Sequence, residues 1–376
     1  MVKIDLKQVV GQHLPQNILK KTIENDKLAS AYLFYGPEGL GKWAVALELA
    51  KALNCENKDS VPCQECSNCI KIAKLSHPDV VLVFPLPSTK KDEENLRQKY
   101  ISSFREEKLK EPYSLVEFEK NALISKDRMK ELKTEVFRRP FEAKTKVVII
   151  NQAEKMMTDS FNSFLKVLEE PPAYVHLILI TSQPERLLPT VISRCQKIRF
   201  TPIKTDLIQQ ELVKRLNLDE KKALTYAQLS DGSLGYAMDL AGGKWDNLRE
   251  LCLRYLQNVF GSDIGPAASI IEDIVKQYSI PERFQLFKFL KGYLRDVAVI
   301  KESQDSKNLF NPESAEGVFK LSQRVKNQKQ IEKSINLIEK TKSQFYLNVN
   351  PRLALLYLAL QLRNIYHPSY TSINSA

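Results

Sequence analysis

Tyr35-Gly36-Pro37-Glu38-Gly39-Leu40-Gly41-Lys42-Trp43 decides how the rest of the chain is read. An apolar run, Ala31 to Phe34, precedes it, and a helical pattern, Ala44 to Leu53, follows. Strand, glycine-rich turn and helix form the setting of a phosphate-binding loop. Gly36, Gly39 and Gly41 allow a tight turn whose N–H groups face one concavity, and the helix N-terminus adds positive potential there. Lys42 stands where an ammonium group would reach outer phosphates. The next residue breaks the pattern: a hydroxyl that coordinates magnesium is expected, and the chain has Trp43. An indole N–H donates only and cannot hold a cation. The stretch therefore predicts a nucleotide-binding fold that has lost the means to use a nucleotide.

The strands around the loop are continuous apolar runs of the buried parallel kind: Val80 to Phe84, Val147 to Ile150 and Val175 to Ile180, with a last short one at Lys197 to Phe200. Helical patterns alternate with them, at Lys126 to Phe137 behind the N-cap candidate Ser125, and at Phe161 to Leu168 ahead of Glu169-Glu170-Pro171-Pro172. The fold class is α/β with a parallel sheet. Residues 1–30 read as helical, with Leu14, Ile18, Leu19 and Ile23 at helix spacing and a turn at Val9-Val10-Gly11-Gln12. Residues 85–122, rich in Lys and Glu, read as a largely solvated surface insertion with some helix. Lys99-Tyr100 and Phe104-Arg105 within it offer a DNA contact as the alternative.

Beyond Pro202 the strands stop. Leu207 to Leu216, Glu220 to Leu229 and Tyr236 to Leu240 read as short helices, and Gly242-Gly243 as a hinge. Helices dominate from Trp245 to about residue 301 and again from Val318 to Phe345, with a polar connector at 302–316. Ala354 to Leu360 is apolar nearly all round, which places it at the centre of a bundle. The tail Pro368 to Ala376 reads as frayed. The organisation expected is an α/β core over 1–200, a helical lid over 201–243 and a helical domain over 244–376.

Cys55, Cys63, Cys66 and Cys69 are spaced C-x7-C-x2-C-x2-C. Four thiolates with two CxxC steps match a closed tetrahedral zinc site with a structural role, the alternatives being free cysteines or an iron–sulfur cluster. His77 reads as a loop histidine rather than a ligand. Six cysteines in all argue for metal or free thiols over disulfides. The N-terminus has no signal-peptide core, and no apolar run nears the roughly 20 residues that span a bilayer, so a cytoplasmic, membrane-free protein is expected. The net charge of +11 (56 basic, 45 acidic) fits nucleic-acid or acidic partners, or a lysine-rich solvated surface.

Val10-Gly11-Gln12, Ala31-Tyr32-Leu33-Phe34, the phosphate loop, the four cysteines, Asn162 to Pro172 (NSFLKVLEEPP) and Ser193-Arg194-Cys195 resemble, in that order, bacterial clamp-loader subunits of the AAA+ superfamily. The resemblance covers residues 1 to about 243, and the C-terminal bundle is similar to their oligomerising collar. It implies an AAA+ core with a zinc module at 55–69, a lid and a collar. It also implies a hetero-oligomer with motor and delta-type subunits that acts on a sliding clamp, primer–template DNA and the polymerase core.

Against the ATP-hydrolysing members, Trp43 replaces the hydroxyl, Asn151-Gln152 stands for Asp-Glu, and Gly235 for a lid arginine. The resemblance thus implies a subunit without ATPase activity, with ATP binding doubtful at Gly36, Gly39, Gly41 and Lys42. Thr181-Ser182, where a sensor would sit, takes a structural role. Arg194 falls where the family presents an arginine in trans to a neighbour's ATP, the alternative being an ion pair within its own domain. Cys195 is a packing residue. Lys126, Arg128, Arg138 and Arg139 could face DNA, or form a solvated face. The rival readings are an active motor subunit and a stand-alone zinc-containing DNA-binding protein.

Overall fold

A computed structural model describes all residues except 1–2, 5, 7–8, 58, 88–93, 117–121, 262–263, 304–308, 310–313, 347–348 and 368–376. The tail expected to fray lies outside the described residues, as does much of the 302–316 connector. Two compact units divide the chain, Met1–Ala241 and Gly242–Ala376.

The first unit begins with β1 (Lys3–Ile4), α1 (His13–Glu24), β2 (Ala31–Tyr35), α2 (Lys42–Asn54), β3 (Ser60–Val61) and α3 (Ser67–Ala73). It continues with β4 (Val80–Val83), α4 (Glu94–Lys110), α5 (Lys126–Val136), β5 (Lys146–Ile150) and α6 (Thr158–Glu169). β6 (Val175–Thr181), α7 (Pro189–Ile192) and β7 (Gln196–Arg199) complete the α/β part. α8 (Thr205–Leu216), α9 (Glu220–Leu229) and α10 (Leu234–Ala241) close the unit.

β4, β5, β6, β2 and β7 lie side by side in that order, all parallel, as the sequence predicts. Leu33 pairs with Leu179 and Lys197, and Val148 with Leu177. Every residue of β5 and β6 is buried, which explains their unbroken apolar runs. Period-two alternation splits the core into two layers. Tyr32, Phe34, Val147, Ile149 and Ile178 face α1 and α2, while Leu33, Val148, Ile150, Leu177 and Leu179 face α5 and α6. The edge strand β7 turns Gln196, Lys197 and Arg199 outward, and such polar and charged side chains discourage further strand addition. Ser125 caps α5, its Oγ accepting from the Arg128 N–H.

One expectation for this unit is corrected and another refined. Within residues 1–30 the helix spans only His13–Glu24, because Gly11 and Gln12 both take positive φ and a right-handed helix cannot pass through them. Lys3–Ile4 instead pairs in parallel with Ser60–Val61. The 85–122 insertion carries the expected helix and α4 is mostly exposed, but the insertion is not only a surface elaboration. Phe104, Lys108 and Tyr113 are buried, and Phe104 stacks on Phe84 with ring centroids 3.9 Å apart. Its Lys/Glu-rich composition reflects the outer side of α4, whose inner side packs on the core.

The second unit is helical among its described residues: α11 (Asp246–Val259), α12 (Gly265–Gln277), α13 (Ile280–Ser303), α14 (Ala315–Ser322), α15 (Gln328–Tyr346) and α16 (Pro351–Tyr366). Its buried hydroxyls are satisfied within the unit. The Tyr255 hydroxyl donates to the Leu355 carbonyl, and the Tyr366 and Ser334 hydroxyls share a 2.9 Å bond. α16 does not sit at the centre of the bundle as its composition suggests. Leu355, Leu358 and Leu362 are buried, whereas Leu353, Tyr357 and Leu360 are 62%, 44% and 53% exposed along the opposite face. Among the described residues, no helix is long and apolar enough to cross a membrane.

His176, on the buried strand β6, bonds the Ala29 carbonyl through Nδ1, and burial holds its pKa below the ordinary value. The imidazole is therefore neutral in the fold, while the unfolded chain takes up a proton as pH falls below about 6.5. Stability should be fully present above that pH and decline below it. Thermal midpoints between about pH 7.5 and 5.5 should fall with acidity, and His176→Asn, which keeps a donor near Nδ1, should flatten the slope. An unaltered slope in the variant would discount this residue.

Candidate functional site

The loop after β2 opens at the carboxyl end of the sheet, where ligands of open α/β folds bind. Gly36, Gly39 and Gly41 all take positive φ, as the tight turn requires. Lys42 begins α2 but does not point outward. Its side chain is 7% exposed, and its Nζ donates to the carbonyls of Gly36 and Pro37 in its own loop. Burial lowers its pKa to about 8, with Glu38 and Glu154 opposing the shift. Trp43 is buried beside it and meets Phe104 edge-on at 5.3 Å. The Lys108 ammonium lies 5.6 Å from the indole centroid.

Asn151 and Gln152 follow β5, and Thr181 and Ser182 end or follow β6. All four line the cavity at the loop. The Thr181 hydroxyl accepts from the Gln183 N–H. Two carboxylates that sequence reasoning passed over also stand here. The Ser182 Oγ lies 3.1 Å from Glu154 Oε1 and 3.3 Å from Glu38 Oε1. Glu154 lies on a short 3-10 turn just past Asn151-Gln152, and that position behind a strand end was the available signal. These carboxylates balance Lys42 and repel a phosphate.

Gly235 is at the start of α10, where its N–H donates to the Gly39 carbonyl, and the Ser233 Oγ donates to the Glu38 carbonyl. The loop and the helical segment α8–α10 are thus joined directly. The cavity at the loop, walled by the ends of β5 and β6 and by residues from Lys108 to Val116, is about 60 Å³, against some 300–1,000 Å³ for ordinary small-molecule sites.

The four cysteines come together away from this cavity, with all four Sγ atoms within 4.8 Å of one another. Cys63 and Cys69 sulfurs are 4.0 Å apart, near the edge of about 3.8 Å for a tetrahedron with 2.3 Å zinc–sulfur bonds. The N–H groups of Cys63, Cys66 and Cys69 donate to the sulfurs of Cys55, Cys63 and Cys66. Such bonds favour thiolates. Burial pushes the Cys63 thiol up, but the N–H groups of Glu65 and Cys66 outweigh it and leave it at about 7. The donor set fits zinc, which would cross-link a segment with a small apolar core and take no part in a reaction. His77 is a brace and not a ligand. Its Nδ1 accepts from the Asp79 N–H and its Nε2 lies 3.1 Å from Asn68 Oδ1, which links α3 to the start of β4.

Arg194 follows α7 at the surface. Its guanidinium is 2.6 Å from Glu169 Oε1 and donates to the Thr190 carbonyl. Lys126, Arg138 and Arg139 are exposed on or after α5, and Arg128 pairs with Glu131 at 3.2 Å.

The family described as "DNA polymerase III, delta subunit" matches residues 11–204, just over half of the chain. The chain belongs to that family. It is 35% identical over 198 residues to the DNA polymerase III subunit delta' of Bacillus subtilis strain 168, covering 53% of this chain and 50% of the relative. It is 29% identical over 314 residues to the DNA polymerase III subunit gamma/tau of Mycoplasma genitalium, covering 82% of this chain and 43% of the relative. The chain thus spans about half the length of the curated relatives it matches. A solved DNA polymerase III gamma subunit-related protein of Thermotoga maritima aligns over 93% of this chain and 99% of its own at 17% identity, with a TM-score of 0.33. The family match includes the phosphate loop, the cysteine cluster and Arg194.

Metal-stripped chain should take up one zinc at the four thiolates. Cys66→Ser should abolish tight uptake and lower the thermal midpoint, since structural zinc contributes folding free energy. Metal analysis and a melting curve on the same sample check this. Equal zinc content and equal midpoints in variant and parent would count against a structural site.

Proposed function

We propose that this chain acts as the delta-prime-type subunit of a DNA polymerase III clamp loader. In this reading it is an AAA+ subunit without ATPase activity that lends Arg194 to an ATP site on a neighbouring subunit. The observation that carries the proposal is the state of its own loop. Lys42 is turned onto Gly36 and Pro37, Trp43 occupies the magnesium-ligand position, and only about 60 Å³ remains open. Asn151, Gln152 and Gly235 remove the other charged groups that hydrolysis would use. Glu154 and Glu38 do not restore them, because both are engaged with Ser182 and face Lys42.

Arg194 pairs with Glu169 in the isolated chain, the arrangement weighed above as the alternative. Both groups are partly exposed, at 34% and 46%, and such a pair contributes about 0–1 kcal/mol. A neighbour's triphosphate offers more charge, and an arginine supplied in trans is worth on the order of 10³ to 10⁵ in rate in other NTPases. Glu169 then acts as a resting partner that keeps the guanidinium near its working position. The exposed stripe of Leu353, Tyr357 and Leu360 on α16 supports assembly with other subunits through the second unit. In the proposed cycle, ATP bound by the motor subunits lets the ring grip and open the sliding clamp, and hydrolysis on primed DNA releases it. Zinc at the four cysteines braces the end subunit.

A second reading, a gamma/tau-type motor subunit, draws on the longer span of the Mycoplasma genitalium alignment. ATP turnover by the purified chain that Lys42→Ala abolishes would favour that reading. For the proposed one, Arg194→Ala should leave the reconstituted complex assembled and lower its DNA-stimulated ATPase at least about tenfold. Glu169→Gln should leave that activity largely intact. ATPase unchanged in the Arg194→Ala complex would refute the role.

A further inference from the structure

The insertion does more than cover the loop: it enters the cleft. After α4 the chain turns back on itself, the Ser114 N–H donating to the Glu111 carbonyl and the Tyr113 N–H to Glu111 Oε1. The Lys108 ammonium, itself buried, donates to the Ser114 and Pro112 carbonyls at 2.7 and 3.4 Å and clamps the turn. The hook so formed carries the Tyr113 ring, 2% exposed, against the phosphate loop.

Three surfaces meet that ring. The Tyr113 hydroxyl accepts from the Val10 N–H at 2.7 Å, and burial pushes the phenol well above its ordinary pKa, so the ring stays neutral. A Cβ at Gly41 would stand 2.5 Å from Tyr113 Cε1, so the loop glycine that would approach a ligand approaches the ring. Ala44 of α2, Ile208 and Leu212 of α8, and Ala237 of α10 share one apolar cluster with it. The Arg215 guanidinium lies 5.5 Å from the ring centroid and 2.9 Å from Glu111 Oε2. The hook also accounts for a sequence anomaly. A Cβ at Gly235 would be 2.1 Å from the Tyr113 carbonyl oxygen, so the position cannot carry an arginine, or any side chain, while the hook is in place.

We infer that the 111–115 hook is a covalently attached occupant of the nucleotide cleft, with Tyr113 filling the space beside the phosphate loop and fastening α8–α10 to the core without any bound nucleotide. Where a motor subunit would open and close this joint with its ligand, this chain holds it shut. The inference deepens the reading of the cleft as silent and rests on it.

Hydrogen exchange on the full chain tests the idea. Tyr113→Ala should make the amides of 205–241 and of Val10 exchange at least about tenfold faster, with β5 and β6 unchanged. Tyr113→Phe should free the Val10 amide alone. Gly235→Ala, whose new methyl meets the Tyr113 carbonyl, should expel the hook and reproduce the Tyr113→Ala pattern; it stands in should that variant fail to fold. Millimolar ATP should leave exchange over 111–116 unaltered in the parent chain. Parent-like exchange over 205–241 in both folded variants would overturn the hook alone. An ATP-induced change over 111–116 in the parent would overturn its role as occupant, and ATP turnover would overturn the silent-cleft reading as well.

Discussion

Lys42 imposes the constraint around which the site is built. Its ammonium sits at the head of α2, out of water, beside the most buried strands of the sheet. A buried charge needs partners, and in a working phosphate loop the ligand supplies them. Here the carbonyls of Gly36 and Pro37 accept from it, and Glu38 and Glu154 supply counter-charge. The loop has become self-sufficient. Its glycine turn persists because the backbone must still reverse between β2 and α2, whatever the lysine contacts.

The same logic extends outward. Trp43 has no use as a cation ligand but suits a wall on which Phe104 and Lys108 rest. Phe84, just past β4, stacks on Phe104 as well, so the insertion is anchored by one ring at a strand end and one at the start of α2. Tyr113 then reaches the far side of the loop. Two of the substitutions that read as losses for hydrolysis, Trp43 and Gly235, are matched by contacts that hold the insertion or the α8–α10 segment in place. Gly235 is the clearest case, being small because the Tyr113 carbonyl is there.

Away from the cleft the chain uses separate devices. Asp79 accepts the N–H groups of Phe141, Glu142 and Ala143 and so fixes the loop before β5. His77 and Asn68 tie the cysteine segment to that same corner. Among the described residues, the Arg194 guanidinium is held by a surface pair and one carbonyl. Rigid corners and a loosely held guanidinium fit the role proposed for Arg194.

Strands β2, β4, β5 and β6 were legible because parallel strands covered on both faces must be apolar nearly throughout, and Val147 to Ile150 or Val175 to Ile180 can be little else. The phosphate loop and the cysteine spacing were legible because their chemistry is local: a turn of glycines, four thiolates within reach of one ion. Trp43, Asn151, Gln152 and Gly235 already stood out as missing catalytic groups. What filled their places could not be read, because Phe104 and Tyr113 find their partners at Trp43, Phe84, Val10 and Arg215, distant in sequence, and a Lys/Glu-rich helix shows in composition only its wet side. Glu154 joined the site through strand order, whereas Glu38 lies within the phosphate loop itself. The exposed face of α16 was hidden for the converse reason: apolar residues all round a helix do not say which of them the rest of the chain will cover. Local geometry belonged to the sequence, while burial, charge pairing and occupancy of the cleft belonged to tertiary structure, since each depends on surfaces that folding alone brings together.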